Sequence, residues 1–188
     1  LGDVTYVRNG DEESVGTYPD VLDANYNKNK NYTVNVKYGD FEIKKIEAEI
    51  VITGPVDSKT YDGTELTADP EKVTVEGLPE GYEVVEVEVT GTATEVGDEG
   101  TTEVTSYKIV DENGNDVTDQ FDDDTIEVKP GKLTINPAEV TIVVYDSSKV
   151  YGTDDPAFEG TVTGLVNEKD LGDVTYVRNG DEESVGTY

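Results

Sequence analysis

Two clusters of acidic and amide side chains come closest to the spacing of a metal site. The first lies in DENGNDVTDQFDDD at 111–124, where Asp111, Asn113, Asn115 and Asp116 alternate or adjoin. Oxygen ligands at this spacing are typical of the start of a calcium loop. The cluster lacks the central glycine register and the distant bidentate glutamate of an EF-hand. A polar hairpin turn is therefore the favoured interpretation, and a calcium site is the alternative.

The second cluster is GTDDP at 152–156, in which Asp154 and Asp155 follow a Tyr-Gly pair. The favoured interpretation is a turn whose aspartates accept hydrogen bonds from backbone N–H groups. The alternative is a cation site at a junction between modules. Calcium is thus the one cofactor for which the sequence offers candidate ligands.

The residue types of the chain do not support enzymatic chemistry. The chain contains no histidine and no cysteine, which removes imidazole bases, thiolate nucleophiles and the usual zinc ligands. Carboxylate pairs carry no information, because 43 of the 188 residues are acidic. A glycosidase would also need one carboxyl group in an apolar pocket, and no stretch indicates one. We predict that the protein is not an enzyme and has no catalytic residues.

The elements that must position these side chains are predicted to be strands. Short alternating runs of Val, Ile, Tyr and Thr are separated by Gly, Asn, Asp and Pro, which is typical of an all-β chain. In YEVVEVEVTG at 82–91, Val85, Val87 and Val89 are predicted to share one face. The other predicted elements are strands at 31–39 and 138–146, a turn at Asn113-Gly114, and short turns at 68–73 and at 165–172 with Asn167 as cap.

The chain repeats itself over a long distance. Residues 1–18 and 171–188 both read LGDVTYVRNGDEESVGTY, so the offset is 170. Chance does not produce eighteen identities in a row. We interpret the chain as one period of a tandem array plus a short overlap. A deliberate duplication is the alternative, and it needs more assumptions.

A weaker repeat divides the long period into two related modules. Three matches define it: DSKTYDGT at 57–64 with DSSKVYGT at 146–153, VKYGDFEI at 36–43 with VKPGKLTI at 128–135, and AEI at 48–50 with AEV at 138–140. The first pair is followed in both copies by Gly-Leu, at 77–78 and 164–165. The second pair predicts two hairpins, with Gly39 or Gly131 in the turn.

These matches predict three domains. Residues 46–137, the central module, form a complete module. Residues 1–45, the head segment, carry the C-terminal part of the other module, and residues 138–188, the tail segment, carry its N-terminal part. We expect a β-sandwich or β-grasp-like module in each case, in a tandem, elongated array.

The charge limits the partners. The net charge is −29, so the chain lacks the cationic surface that nucleic acid requires and is repelled by anionic membranes. We predict no nucleic acid and no membrane insertion. A well-solvated acidic surface is the favoured interpretation.

The motifs resemble known bacterial repeat families. VYGTDDPAFEGTVTGLV at 150–166, continued by the sequence of residues 1–43, resembles the MBG domain of the YGX type. KTYDGTELT at 59–67, with VEGL and LTINPAEV, resembles the companion YDG domain. The resemblance implies repeat modules of large secreted or surface-anchored bacterial adhesins, with no established catalytic residues.

The resemblance and the residues together give one functional expectation. The chain is expected to be a structural repeat unit of an extracellular fibre or adhesin stalk on a bacterial surface, joined head to tail to identical repeats in a filament. The alternative is an adhesion module that binds host glycans, matrix or other surface proteins directly.

Overall fold

The computed structural model of the chain describes residues 3–188, and it confirms the all-β prediction. Strands account for most of its regular structure, and the only helical elements among these residues are single 3-10 turns at Pro70–Lys72, Thr118–Gln120 and Asp123–Thr125. No helix in this part of the chain is long and apolar enough to cross a membrane. The strands are β1 (Thr5–Arg8), β2 (Gly16–Asn25), β3 (Gly39–Ile43), β4 (Ile50–Thr53), β5 (Val56–Thr60), β6 (Leu66–Thr67), β7 (Thr74–Glu76), β8 (Tyr82–Thr90), β9 (Thr92–Ala93), β10 (Thr101–Asp111), β11 (Ile126–Lys129), β12 (Gly131–Asn136), β13 (Thr141–Val144) and β14 (Gly160–Thr163).

The strands form several small sheets. Their orders are β1-β2-β3, β5-β12-β10-β8, β11-β4-β7, β13-β14 and β6-β9. Strand β4 pairs in parallel with β11 and antiparallel with β7, and β5 pairs in parallel with β12. The first strands of the central module thus lie beside its last strands.

The chain folds into two compact units. The first contains the residues up to Gly54, Val73–Glu88 and Val104–Lys129. Its core is a cluster of four fully buried side chains, Ile50, Ile52, Ile109 and Phe121. The ring of Tyr82 meets Phe121 edge to face, with 5.1 Å between the ring centroids, a favourable aromatic geometry.

The second unit contains Pro55–Lys72, Val89–Glu103 and Pro130–Tyr188. Its smaller core is built from Ala93, Leu133 and Ile135, with Tyr61 and Leu66 packed against it. The fully buried Thr102 belongs to the same unit, and its hydroxyl donates a 2.8 Å hydrogen bond to the carbonyl oxygen of Pro55.

Strand β8 confirms both the predicted strand and the shared face of its valines. Glu86 adopts a left-handed backbone, with φ of 49°, and the alternation of half-buried and exposed residues shifts by one position just before it, between Val84 and Val85. Tyr82 and Val84, before this shift, pack against the core of the first unit. Val85, Val87 and Val89 are all half-buried and alternate with exposed residues, so the predicted shared face is confirmed.

The strand predicted at 31–39 is wrong over most of its length. Residues 32–38 are not strand, and β3 begins only at Gly39. The equivalent stretch of the central module is β11, which is a strand because β4 lies beside it. An extended segment without a neighbouring strand has no ladder to join, however clearly its residues alternate.

The two predicted hairpins are also wrong. Strands β11 and β12 flank Pro130 but belong to different sheets, each beside a parallel partner. Neither Gly39 nor Gly131 has a positive φ. The chain therefore continues forward from one sheet to the next, and no chain reversal is needed.

The shorter turns follow the predictions. Gly114 has φ of 79° and donates to the carbonyl of Asp111, which closes the turn after β10. The side chain of Asn167 accepts a 3.2 Å hydrogen bond from the backbone of Lys169. The 3-10 turn at Pro70–Lys72 lies within the predicted 68–73.

Two ladders show the weaker sequence repeat in three dimensions. Ile52 lies opposite Val75 in the β4–β7 ladder, and Ile142 lies opposite Val162 in the β13–β14 ladder. In each ladder, the glycine after the second strand lies against the equivalent backbone carbonyl oxygen. A Cβ on Gly77 would overlap the carbonyl oxygen of Glu49, and a Cβ on Gly164 would overlap that of Glu139.

Candidate functional site

The loop that carries the Tyr-Asp-Gly motif is closed by a lysine. Nζ of Lys59 donates to the carboxylate of Asp62 at 2.8 Å, and to the carbonyl and hydroxyl oxygens of Thr64 at 2.6 and 2.7 Å. Thr64 donates to the same carboxylate from its backbone N–H and its hydroxyl. Lys59 lies on β5, so the loop is fixed to a strand in the sheet of the second unit.

These hydrogen bonds determine the ionisation of Asp62. The bond from Lys59 and then those from Thr64 hold the pKa of the carboxyl well below its usual range. A carboxylate that stays ionised and accepts this many hydrogen bonds is a poor general acid or base. The chemistry of the loop is therefore that of a structural clamp.

The tail segment carries the equivalent lysine in a larger ionic network. Nζ of Lys149 lies 2.7 Å from Asp155 and 2.6 Å from Glu183, and Arg178 contacts both acids at 3.1 and 2.8 Å. Hydrogen bonds from Lys149 and Arg178 lower the pKa of Glu183, and those to Asp155 and Glu183 raise the pKa of Lys149. Two cations thus balance two anions.

The candidate calcium ligands of the tail therefore differ from one another. Asp154 is exposed, whereas the carboxylate of Asp155 already faces two cationic side chains. A cation at Asp155 would have to compete with both of them.

The candidate ligands at 111–116 are turned toward their own loop. The carboxylate of Asp111 accepts from the backbone of Asn113 and from the backbone and side chain of Asn115, at 2.9 to 3.0 Å. These bonds, led by the side chain of Asn115, lower the pKa of Asp111. Asp116 accepts from the backbone and hydroxyl of Thr118. Within residues 3–188, no group of three or more acidic side chains is arranged to hold a metal ion, and a calcium site stays a prediction.

An open cleft lies in each unit. The cleft of the second unit measures about 480 Å³ and brings Tyr61, Glu95 and Asp170 together with apolar side chains of the tail segment. The charge of Glu95 and then burial raise the pKa of the Tyr61 hydroxyl. The cleft of the first unit measures about 470 Å³ and is lined by residues of β1, β2 and the stretch before β3, including Tyr6, Leu22 and Val36.

The tail strand β13 lies within the strand predicted at 138–146. All four of its residues are exposed, including Ile142 at 47% and Val144 at 54%. The alternating pattern predicted Val140, Ile142 and Val144 on one side, and the repeat predicted only the N-terminal part of a module at 138–188. The aligned strand β4 differs, because its Ile50 and Ile52 are fully buried.

Comparison with known protein families gives a match in the tail segment. Residues 140–188 match the MBG domain (YGX type) family. The MBG match contains β13, β14 and the whole ionic network from Lys149 to Glu183. No curated protein and no solved structure matches the chain. The resemblance of the central module to the YDG domain stays a prediction.

Proposed function

We propose that the chain is a non-enzymatic repeat unit that resists extension in a fibre or adhesin stalk on a bacterial surface. The offset of 170 residues between identical segments and the MBG match of the tail support a tandem arrangement. The equal registers of the β4–β7 and β13–β14 ladders support the presence of two related modules in each period.

The parallel pairing of first and last strands carries the proposal. Four residues of β4 pair with β11, and five residues of β5 pair with β12. When the two ends of the central module are pulled apart, the force acts along these strands. All hydrogen bonds of a ladder are then loaded together, whereas an unzipping geometry loads them one at a time. This arrangement suits a protein that resists extension.

The side chains fasten the loaded strands to the cores. Ile50 and Ile52 of β4 are fully buried in the first unit, and Leu133 of β12 is fully buried in the second. The hydroxyl of Thr102 holds the carbonyl of Pro55, between β4 and β5. Sliding of either ladder would expose these apolar groups to water.

Single-molecule extension tests the proposal. A chain tethered through its two ends is expected to release residues 50–136 in one step, which lengthens it by about 300 Å at 3.6 Å per residue. Glu127→Pro, in the loaded strand β11, is expected to lower the unfolding force. Glu83→Pro, in β8, is the control, compared at an equal loss of equilibrium stability. Gradual extension without this step, or equal effects of the two substitutions on the unfolding force, would contradict a role in resisting extension.

Direct glycan binding is the second candidate. It predicts a groove with clustered tyrosine and amide side chains, which stack on and hydrogen-bond to sugars. The two clefts each contain one tyrosine and no asparagine or glutamine, so they favour the structural proposal. A glycan array and a broad hydrolase substrate screen are expected to be blank. Saturable glycan binding that Tyr61→Ala abolishes would favour the second candidate.

A further inference from the structure

The loop between β5 and β6 lies against the tail segment. Its Tyr-Asp-Gly motif ends at Gly63, which has φ of 75°. A Cβ on Gly63 would lie 3.0 Å from Cγ1 of Val166, which is closer than side chains normally approach. The bare backbone of Gly63 therefore lies next to Val166, and a larger residue at this position would have to displace that side chain.

The other two residues of the motif hold this loop in place. Tyr61 packs against the core of the second unit, and its backbone N–H donates a 2.7 Å hydrogen bond to the carbonyl oxygen of Asn136. The ammonium group of Lys59 fixes Asp62. The loop is thus attached to its sheet, and the part that it presents to the tail is the backbone of Gly63.

The tail meets the loop with a turn that follows β14, the 164–171 turn. Its backbone is closed by a 3.0 Å hydrogen bond from the N–H of Asp170 to the carbonyl oxygen of Asn167. The turn is joined directly to the β13–β14 ladder, so its position reports the position of the ladder. Its apolar side chains line the cleft of the second unit together with Tyr61, and they are Leu165, Val166 and Leu171.

The covalent connection alone does not fix the position of the tail. Residues 137–140 join β12 to β13, and Pro137 is the residue of this connection whose φ is fixed by a ring. Relative motion is the default for modules joined by one connection, and an apolar interface is what suppresses it. The loop and the 164–171 turn supply a second contact, remote in sequence from this connection.

We propose that the Tyr-Asp-Gly loop is the seat of the module that follows it in the chain, and that its contact with the 164–171 turn fixes the orientation of the β13–β14 ladder relative to β12. The occupant of the seat is a segment of the same chain, so no second copy is needed. The proposal goes beyond resistance to extension, since ladders that resist extension could be joined by flexible connections. A fixed orientation at this joint would stiffen a stalk.

Apolar packing has to hold the contact, because its charges repel. Glu95 of the central module and Asp170 of the tail both line the cleft beside Tyr61. The pKa of the Tyr61 hydroxyl is raised first by the charge of Glu95, then by burial and by the charge of Asp170. Two negative charges on opposite sides of the contact disfavour it. Val166 is therefore the side chain whose removal should loosen the contact.

Pulsed electron resonance between two spin labels tests the proposal on the full chain, which has no cysteine of its own. The labels are attached at Lys132→Cys on β12 and Thr161→Cys on β14, two exposed positions outside the contact. We expect a single narrow distance distribution. Val166→Ala removes the methyl groups that face Gly63, and it is expected to replace the narrow peak by a broad distribution. Val185→Ala makes the same change in the tail at a side chain that is 89% exposed, and it should leave the narrow peak in place.

A larger residue in the loop tests the contact from the other side. Gly63→Leu places a side chain where Val166 lies, and it is expected to shift the mean distance between the labels. Gly114→Leu is the control, because its φ of 79° is close to that of Gly63 and a Cβ there meets nothing within 4 Å. This control should leave the mean distance unchanged.

Three results would overturn the proposal. One is a broad distribution in the labelled chain without further substitutions. Another is an equal effect of each substitution and its control. The third is a loss of amide-exchange protection in the β13–β14 ladder of Val166→Ala, because the contact would then support the folding of the tail and not its orientation. Single-molecule extension reads the β4–β11 and β5–β12 ladders instead, so resistance to extension and a fixed orientation can each fail alone.

Discussion

The equivalent isoleucines 52 and 142 give the sharpest test of the difference between a closed and an open module. Both lie at the same position of an aligned ladder, opposite Val75 and Val162. Ile52 is fully buried, whereas Ile142 is 47% exposed. The same substitution by alanine therefore reports two environments.

The structure sets the size of the two effects. Ile52→Ala removes three buried carbon groups at about 0.8 kcal/mol each, and the cavity left among Ile50, Ile109 and Phe121 raises the loss to about 3–4 kcal/mol. Ile142 loses about half of the transfer free energy, or about 1 kcal/mol, and water fills the space. Ile52→Val, at about 1 kcal/mol, gives a graded variant that keeps the module folded.

Urea unfolding followed by far-ultraviolet circular dichroism measures these free energies. The chain is kept dilute, so that association between copies does not bury Ile142. A loss below about 1 kcal/mol for Ile52→Ala would contradict the assigned core. Equal losses at the two positions in dilute solution would show that the tail strand is already covered, and would refute the open tail.

Three further predictions follow from glycine contacts, ionisation and net charge. Gly77→Ala is expected to lower the melting temperature more than Gly97→Ala, because both glycines have a positive φ but only Gly77 faces the carbonyl oxygen of Glu49. Equal shifts of the melting temperature would show that this backbone contact is not the cause. The pKa of Asp62 is lower in the folded chain than its unfolded value of 3.8, so the ionised carboxylate stabilises the fold above that value, and this stabilisation is lost as the pH falls through the folded pKa. Asp62→Asn should therefore make the free energy of unfolding less dependent on pH below about pH 4. Added salt should stabilise a chain of charge −29 by screening beyond about 8 Å at physiological ionic strength, and a gain seen with calcium but not with sodium at equal ionic strength would instead support the Asp111 or Asp154 clusters.

Much of the fold could be predicted because turns and alternation are local. The turn at Asn113-Gly114 and the strand at 82–91 depend on neighbours in the sequence, and both appear at those positions. Alternation reports which face a residue occupies but does not report which strand lies beside it. The parallel partners β4 and β11 are separated by more than seventy residues, and this pairing was not predicted.

The same limit applies to the candidate site. The loops at Lys59 and Lys149 were recognised as equivalent in the sequence. Asp62 is three residues from Lys59, so its ion pair is local. Glu183 is 34 residues from Lys149, and no pattern near the lysine indicates it. The left-handed Glu86 is a similar case, because the alternating sequence around it favours an uninterrupted strand.

The two identical segments separate what a sequence encodes locally from what its neighbours add. In both copies the arginine pairs with the glutamate five residues later. The final tyrosine also donates a 2.6 Å hydrogen bond to the serine carbonyl four residues earlier in each copy. Only the head copy forms a strand, because Thr5–Arg8 pairs with residues 22–25, and the tail copy has no equivalent of those residues within the chain. The local contacts thus form without the sheet, and the strand requires its neighbour. A segment that is already ordered locally loses less conformational entropy when it joins a sheet.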